Sequence, residues 1–114
     1  MKYFENKYLK RGIFFAKKDM FDKAISELTK AIKFNPNDAY AYNNRGFCHQ
    51  IKNNIGQAIS DYSKAIEIKP NFVEAYYSRG LAYQKKQNTD QAISDYDKTI
   101  ENDSCNAPHF SSRS

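Results

Sequence analysis

Apolar and small residues recur along this chain at offsets of four and three. Tyr8, Gly12 and Phe15 set the pattern; Tyr42, Gly46, His49 and then Tyr76, Gly80, Tyr83 repeat it. Such offsets fall on one face of a helix with about 3.6 residues per turn. A second pattern follows each glycine: alanine twelve residues on, at Ala24, Ala58 and Ala92, then Leu28, Tyr62 or Tyr96 four residues later. The two patterns predict a pair of helices per copy. The chain's first helix is expected over residues 4–18, and the second helix of each pair over 21–34, 55–69 and 89–102. Three antiparallel pairs, with no strand, result.

The copies are 34 residues apart, since 46 − 12 and 80 − 46 both give 34; Gly56 alone stands outside the series. Self-similarity at this period marks a solenoid, whose units each bury an apolar face against the next. Lys17, Lys18 and Asp19 turn the first pair, and Asn53 takes the place of Asp19 in the second. Both residue types tolerate the left-handed conformation that such a helix end prefers. The third copy has Gln87 there, so its turn is expected to be less well determined. Pro36 and Pro70 end the first two copies, because proline cannot continue a helix and pushes the residue before it out of helical geometry. An Asn or Asp beyond the proline then caps the next helix. Gly12 against Ala24 and Ala31, and Gly46 against Ala58 and Ala65, are read as the small residues that let paired helices approach. Arg11, Arg45 and Arg79 precede the glycines, and Glu27, Asp61 and Asp95 lie sixteen residues after them. Three recurrences of one spacing predict arginine–carboxylate pairs.

Tyr, Arg-Gly, an aromatic, Ala-x-x-x-Tyr and Pro, taken in that order, resemble the tetratricopeptide repeat, with Tyr for Trp and Arg for Leu. The resemblance covers about residues 5–104. It implies an all-α, right-handed α-solenoid of three helix-turn-helix repeats, at about 5–38, 39–72 and 73–104, in one domain over 1–104. The segment 105–114 is left as a polar tail, expected to be mobile because it is short and broken by Pro108. The third copy replaces Ala65, Ile68, Lys69 and Pro70 by Thr99, Asn102, Asp103 and Ser104. That polar turn suits a terminal unit, although Tyr96 and Ile100 are expected to stay partly exposed.

Charge is uneven. Residues 1–34 hold nine Lys or Arg against four acids, residues 35–69 four against three, and residues 70–114 five against six. The resulting +5, +1 and −1 favour an acidic partner near the first repeat and leave head-to-tail association open. With 40% apolar and 27% charged residues, a thin stacked core suits the chain better than a globular one. Cys48 and Cys105 show no disulfide framework spacing, and no stretch approaches the roughly 18 apolar residues of a membrane helix. The chain therefore reads as reduced and cytoplasmic, or nuclear, with no membrane association.

No catalytic, cofactor or metal chemistry is expected. Cys48 and His49 are neighbours on a helix and point about 100° apart, so they do not chelate together. His49, standing where sister copies have Phe15 and Tyr83, is expected to be packed and hydrogen-bonded. Cys105 and His109 offer only two ligands. No phosphate loop or nucleophile elbow is present.

What the resemblance implies about function is binding. Members of the family hold peptides on the first helices of their pairs. The matching positions here are Asn6, Leu9, Lys10, Ile13, Ala16 and Lys17; Tyr40, Asn43, Asn44, Phe47, Gln50 and Ile51; and Glu74, Tyr77, Ser78, Leu81, Gln84 and Lys85. Lys10, Ile13, Lys17, Tyr40, Asn43, Asn44, Phe47, Tyr77, Ser78 and Leu81 are taken as the candidate groove, with Ile13, Phe47 and Leu81 as its apolar row. Members that bind acidic chaperone tails use a clamp of two lysines, two asparagines and an arginine. At those positions this chain carries Leu9, Ile13, Asn44, Glu74 and Ser78, keeping one asparagine. A protein or peptide partner without such a clamp is the expectation, with no small-molecule substrate. A structural adaptor or self-stacking subunit is the alternative. RNA binding fits the basic first repeat but lacks a recognised motif.

Overall fold

In the computed structural model the described residues are 6–104, and they form six helices. These are α1 (Lys7–Lys17), α2 (Phe21–Phe34), α3 (Ala39–Ile51), α4 (Ile55–Ile68), α5 (Val73–Lys85) and α6 (Thr89–Ser104). Among the described residues there is no strand, and consecutive helices pair as α1 with α2, α3 with α4 and α5 with α6. The segment 105–114 lies outside the described residues.

Helix starts differ from the sequence reading in two places. Asn6 is not helical; it is the N-cap of α1, and its side-chain oxygen accepts from the Leu9 amide at 3.3 Å. Its amide nitrogen donates to Asp38 at 2.8 Å and to the Ala31 carbonyl at 3.1 Å. Asp38 in turn caps α3, accepting from the Tyr40 and Ala41 amides. One side chain thus ties together the starts of two stacked helices. Asn71 does not cap α5: the cap position is Phe72, without a side-chain bond, and the Asn71 oxygen accepts from Lys69 Nζ at 3.4 Å.

All three intra-repeat turns have the same geometry. Asp19, Asn53 and Gln87 have φ of 61°, 68° and 64°. Gln87 is therefore held in the left-handed region as firmly as the two residues better suited to it. Backbone bonds impose this: Met20, Asn54 and Asn88 donate back to the carbonyls of Phe15, His49 and Tyr83 at 2.9, 2.7 and 2.8 Å.

The glycines sit at the helix crossings, but their close neighbours are larger than anticipated. A Cβ on Gly12 would lie 2.5 Å from Leu28, on Gly46 2.9 Å from Tyr62, and on Gly80 2.6 Å from Tyr96. Ala31 and Ala65 are not the seat of the contact. Leu28 and Tyr62 are fully buried, and the buried clusters built on them also enclose Cys48 and Ala82 from the next repeat. The core is therefore continuous from one repeat to the next, as a stacked architecture requires.

The arginine–carboxylate pairs form in the register that the spacing predicted. Arg45 Nε and Nη2 each donate to Asp61 at 2.9 Å, and Arg79 makes the same two bonds to Asp95 at 2.8 Å. Asp61 and Asp95 are only 6% and 3% exposed. Arg11 reaches Glu27 at 3.6 Å, from a side chain that is 53% exposed. The sequence reading missed a third partner: Arg45 Nη1 donates to Thr29 at 3.3 Å and Arg79 Nη1 to Ser63 at 3.0 Å. Each of these arginines binds its own pair and the preceding one.

Three consequences are measurable. Gly46→Leu should cost about 2 kcal/mol or more through overpacking against Tyr62, whereas Gly56→Leu should cost little, because nothing lies within 4 Å of a Cβ there. Equal melting shifts would contradict the assigned crossing. Asp61→Ala strands a half-buried guanidinium and should cost about 2 kcal/mol, against under about 0.5 kcal/mol for the exposed Arg11→Ala; urea unfolding measures both. Burial pushes the Cys48 thiol up to about 11 from its ordinary 9.0. The unfolded thiol ionises first, so its contribution to stability is complete below pH 9 and is lost as pH rises towards 11. The alkaline decline of the urea midpoint should be shallower in Cys48→Ala, with Tyr62, raised by burial in the same sense, supplying part of what remains.

Candidate functional site

Five of the ten exposed large apolar side chains among the described residues lie on α3 and α5. Tyr40, Phe47 and Ile51 on α3, and Tyr77 and Leu81 on α5, are between 37% and 51% exposed. Each stands on the first helix of its pair, on the flank left over once the glycine face has packed against the second helix. Polar residues interleave with them, as on protein-binding surfaces.

A hollow of about 750 Å³ opens between the first and second repeats. Ile13, Ala16, Lys17, Asn44, Phe47 and Ile51 line it, together with Asp19 and Phe21 from the first turn. Toward the starts of α1 and α3, a second hollow of about 560 Å³ is bordered by Leu9, Lys10, Tyr40 and Ile68 among others. Leu81 shares a third, of about 340 Å³, with Gln50, Gln84 and Lys85. Of the candidate residues, Ile13, Lys17, Asn44 and Phe47 are thus brought together, Lys10 and Tyr40 lie at one end, and Leu81 at the other. Asn43, Tyr77 and Ser78 line none of these hollows. Tyr77 instead leans on Tyr96, ring centroids 6.0 Å apart, and Ser78 lies beside the Tyr62 hydroxyl.

Two amides carry the polar chemistry. Asn44 Nδ2 donates to the Tyr40 carbonyl at 2.8 Å, which fixes the orientation of its side chain. Asn43 Oδ1 is shielded and has no hydrogen-bond partner among the described residues. Gln50 and Gln84 are committed elsewhere, accepting from the hydroxyls of Tyr62 and Tyr96 at 2.6 Å. The first repeat has Ala16 and Leu28 at the corresponding places, so the glutamine and the ring hydroxyl come and go together. That covariation was readable in the sequence. The participation of Asp19 and Phe21 was not, because it depends on how the turn folds back beside α3.

On α3's other side, Arg45, His49 and Asp61 border a hollow of about 320 Å³ with Ile25, Thr29, Gln57 and Ser60. His49 is packed as expected, but its Nδ1 lacks a hydrogen bond, and burial lowers its pKa from the ordinary value. Among the described residues no three His, Cys, Asp or Glu side chains gather closely enough to hold a metal ion. No helix among them is long and apolar enough to cross a membrane.

Comparison with known proteins agrees with this arrangement. The profile described as TPR repeat matches residues 8–50 and 51–87, and the profile described as Tetratricopeptide repeat matches residues 73–104. The crystal structure of MamA superposes with a TM-score of 0.84 at 35% identity, covering 89% of this chain and 59% of that one. The chain therefore spans little more than half the length of that protein. The TPR2B domain of yeast Sti1, in a complex with pHsp70, gives a TM-score of 0.86 at 29% identity, covering 94% of this chain and 86% of that one. The first TPR of Spaghetti (RPAP3), bound to the HSP90 peptide SRMEEVD, gives 0.82 at 25% identity, covering 83% and 75%. No curated protein sequence matches. Repeat spacing, six paired helices and matches over residues 8–104 together place this chain in the tetratricopeptide repeat family.

Proposed function

We infer that this chain is a non-catalytic protein-interaction module that holds a segment of a partner along α1, α3 and α5. One observation carries the reading: the 750 Å³ hollow between Ile13, Phe47 and Ile51, with Tyr77 and Leu81 exposed on α5. An apolar side chain of the partner would enter it, since burying such a group against Phe47 and Ile13 is favourable and Asn44, which lines the same hollow, can meet its backbone. Lys10 and Lys17 at the basic end favour an acid beside that anchor.

The family relatives with bound chaperone segments do not supply the ligand. The chain has Leu9 and Ile13 where a clamp needs Lys and Asn, and Leu9 is turned into the first buried cluster. Glu74 and Ser78 replace the remaining Lys and Arg. A terminal carboxylate would meet Glu74 without the cations that would repay its desolvation. A structural role through the ends of the array competes with peptide binding, because Ile93 and Ile100 on α6 are more than half exposed. Nucleic acid is less well matched, since the chain carries no recognised nucleic-acid motif.

Two binding measurements test the reading. Peptide-display selection should enrich segments with a bulky apolar anchor, and Phe47→Ala should weaken a selected peptide about tenfold or more while the melting temperature holds. Equal binding to Phe47→Ala and Leu81→Ala would remove the groove from consideration. Calorimetry with SRMEEVD should give no saturable heat up to about 100 μM; micromolar binding abolished by Asn44→Ala would mean that a clamp operates after all.

A further inference from the structure

Each first helix carries an arginine, a ring and a lysine at offsets of four and three: Arg11, Phe15, Lys18; Arg45, His49, Lys52; Arg79, Tyr83, Lys86. Those offsets set the three side chains along one flank of the helix. A ring between two cations suits phenylalanine or tyrosine, whose face attracts positive charge. Arg79 lies over the Tyr83 ring at 5.8 Å, and Lys23 from α2 lies over Phe15 at 5.6 Å. In the second repeat the ring is an imidazole, which can itself become a cation.

The surroundings of His49 suit only its neutral form. Its Nδ1 is shielded and has no hydrogen-bond partner among the described residues. The hollow beside it is bordered by Ile25 and Thr29 from α2, and by Gln57, Ser60 and Asp61 from α4. Asp61 is the acid that faces it, but both carboxylate oxygens already accept from Arg45 at 2.9 Å. Arg45 and Lys52 face it from its own helix and cap, and Asp22 on α2 is engaged by Lys52 at 2.8 Å. Burial lowers the imidazole pKa, and Arg45 and Lys52 lower it further against the opposing pull of Asp61. With the neutral ring's proton on Nε2, uptake of a second proton puts an N–H on Nδ1 with no acceptor in reach, and sets three cations in a row.

The residue that meets this new charge is the one that ties the repeats. Arg45 holds Asp61 in its own repeat and donates to Thr29 of the first at 3.3 Å, a longer bond than the 3.0 Å from Arg79 to Ser63. We propose that protonation of His49 loosens the junction between the first and second repeats by driving Arg45 from its tie to Thr29, while the junction tied by Arg79, with Tyr83 in place of the histidine, is indifferent to mild acid. The sign follows from linkage: an opened chain binds the proton more readily than the folded one, so the junction's stability is whole above the ordinary value of 6.5 and is lost as pH falls below it. The hollow between Ile13 and Phe47 spans the same junction. Mild acid therefore weakens whatever that hollow holds, and this last consequence alone rests on the function proposed above.

The test follows arginine side-chain N–H exchange by nuclear magnetic resonance on the full chain. Taking the ratio of the Arg45 rate to the Arg79 rate cancels the intrinsic pH dependence. Between about pH 7.5 and about pH 5.5 that ratio should rise roughly threefold or more. The ring C–H signals of His49, identified by their loss in His49→Phe, should titrate with a midpoint below 6.5. His49→Phe, which installs the residue of the first repeat, should hold the ratio constant, and Tyr83→His should make Arg79 the acid-sensitive arginine instead. A constant ratio in the wild type would overturn the proposal. So would a His49 midpoint at or above 6.5, or the same rise in His49→Phe; should that variant fail to fold, the wild-type ratio and Tyr83→His still decide. No peptide enters these measurements, so their failure is distinct from failure of the groove.

Discussion

A glycine with no room for a methyl group, seated under a leucine or a tyrosine, fixes the spacing of every helix pair. Because Gly12, Gly46 and Gly80 bring the first helix against Leu28, Tyr62 and Tyr96, the large side chain of the second helix lies across the first, fully buried in the first two pairs. That places the alanines of both helices at the interface and turns the remaining apolar side chains of α3 and α5 outward. Close approach at the crossing therefore decides which residues are left to meet a partner.

Stacking of the pairs depends on a different interaction. Arg45 and Arg79 each hold a nearly buried carboxylate in their own pair and a hydroxyl in the one before. The guanidinium also lies over Tyr42 at 5.7 Å in one repeat, and over Tyr76 and Tyr83 at 5.7 and 5.8 Å in the other. The hydrogen bonds that these arginines donate to Asp61 and Asp95 raise the arginine pKa values further, so the guanidinium groups stay charged. Arg11 makes a longer contact to Glu27 and lies 5.8 Å from the Tyr8 ring. Arg45 and Arg79 thus tie the two junctions between the three repeats.

That division of labour bears on function. The junction sets Ile13 and Phe47 across one hollow between repeats, which on the proposed reading would reduce the ordering cost of binding. The groove is also chemically narrow. On the proposed reading its tyrosines and amides would meet apolar side chains and backbone, with Lys10 and Lys17 on the first repeat, away from Glu74. Selectivity would then come from which anchor fits the hollow rather than from a terminal charge.

The sequence by itself determined the repeat, the six helices, the glycine crossings and the arginine–carboxylate register, because each is expressed as a fixed separation along the chain. A period of 34 with helical offsets inside it leaves few other ways to bury the apolar positions. Tertiary structure alone decided the rest. Thr29 and Ser63 as third partners, and the entry of Asp19 and Phe21 into the hollow, depend on which side chains meet through space. Gln87 was misjudged from its intrinsic preference, since backbone bonds across the turn outweigh the small cost of a left-handed glutamine. Asn71 was misjudged for the converse reason: a good capping residue one position too early cannot reach the amides of α5. Separation along the chain is encoded residue by residue, whereas the choice of partner is made by distances of a few ångströms that exist only after the helices have packed.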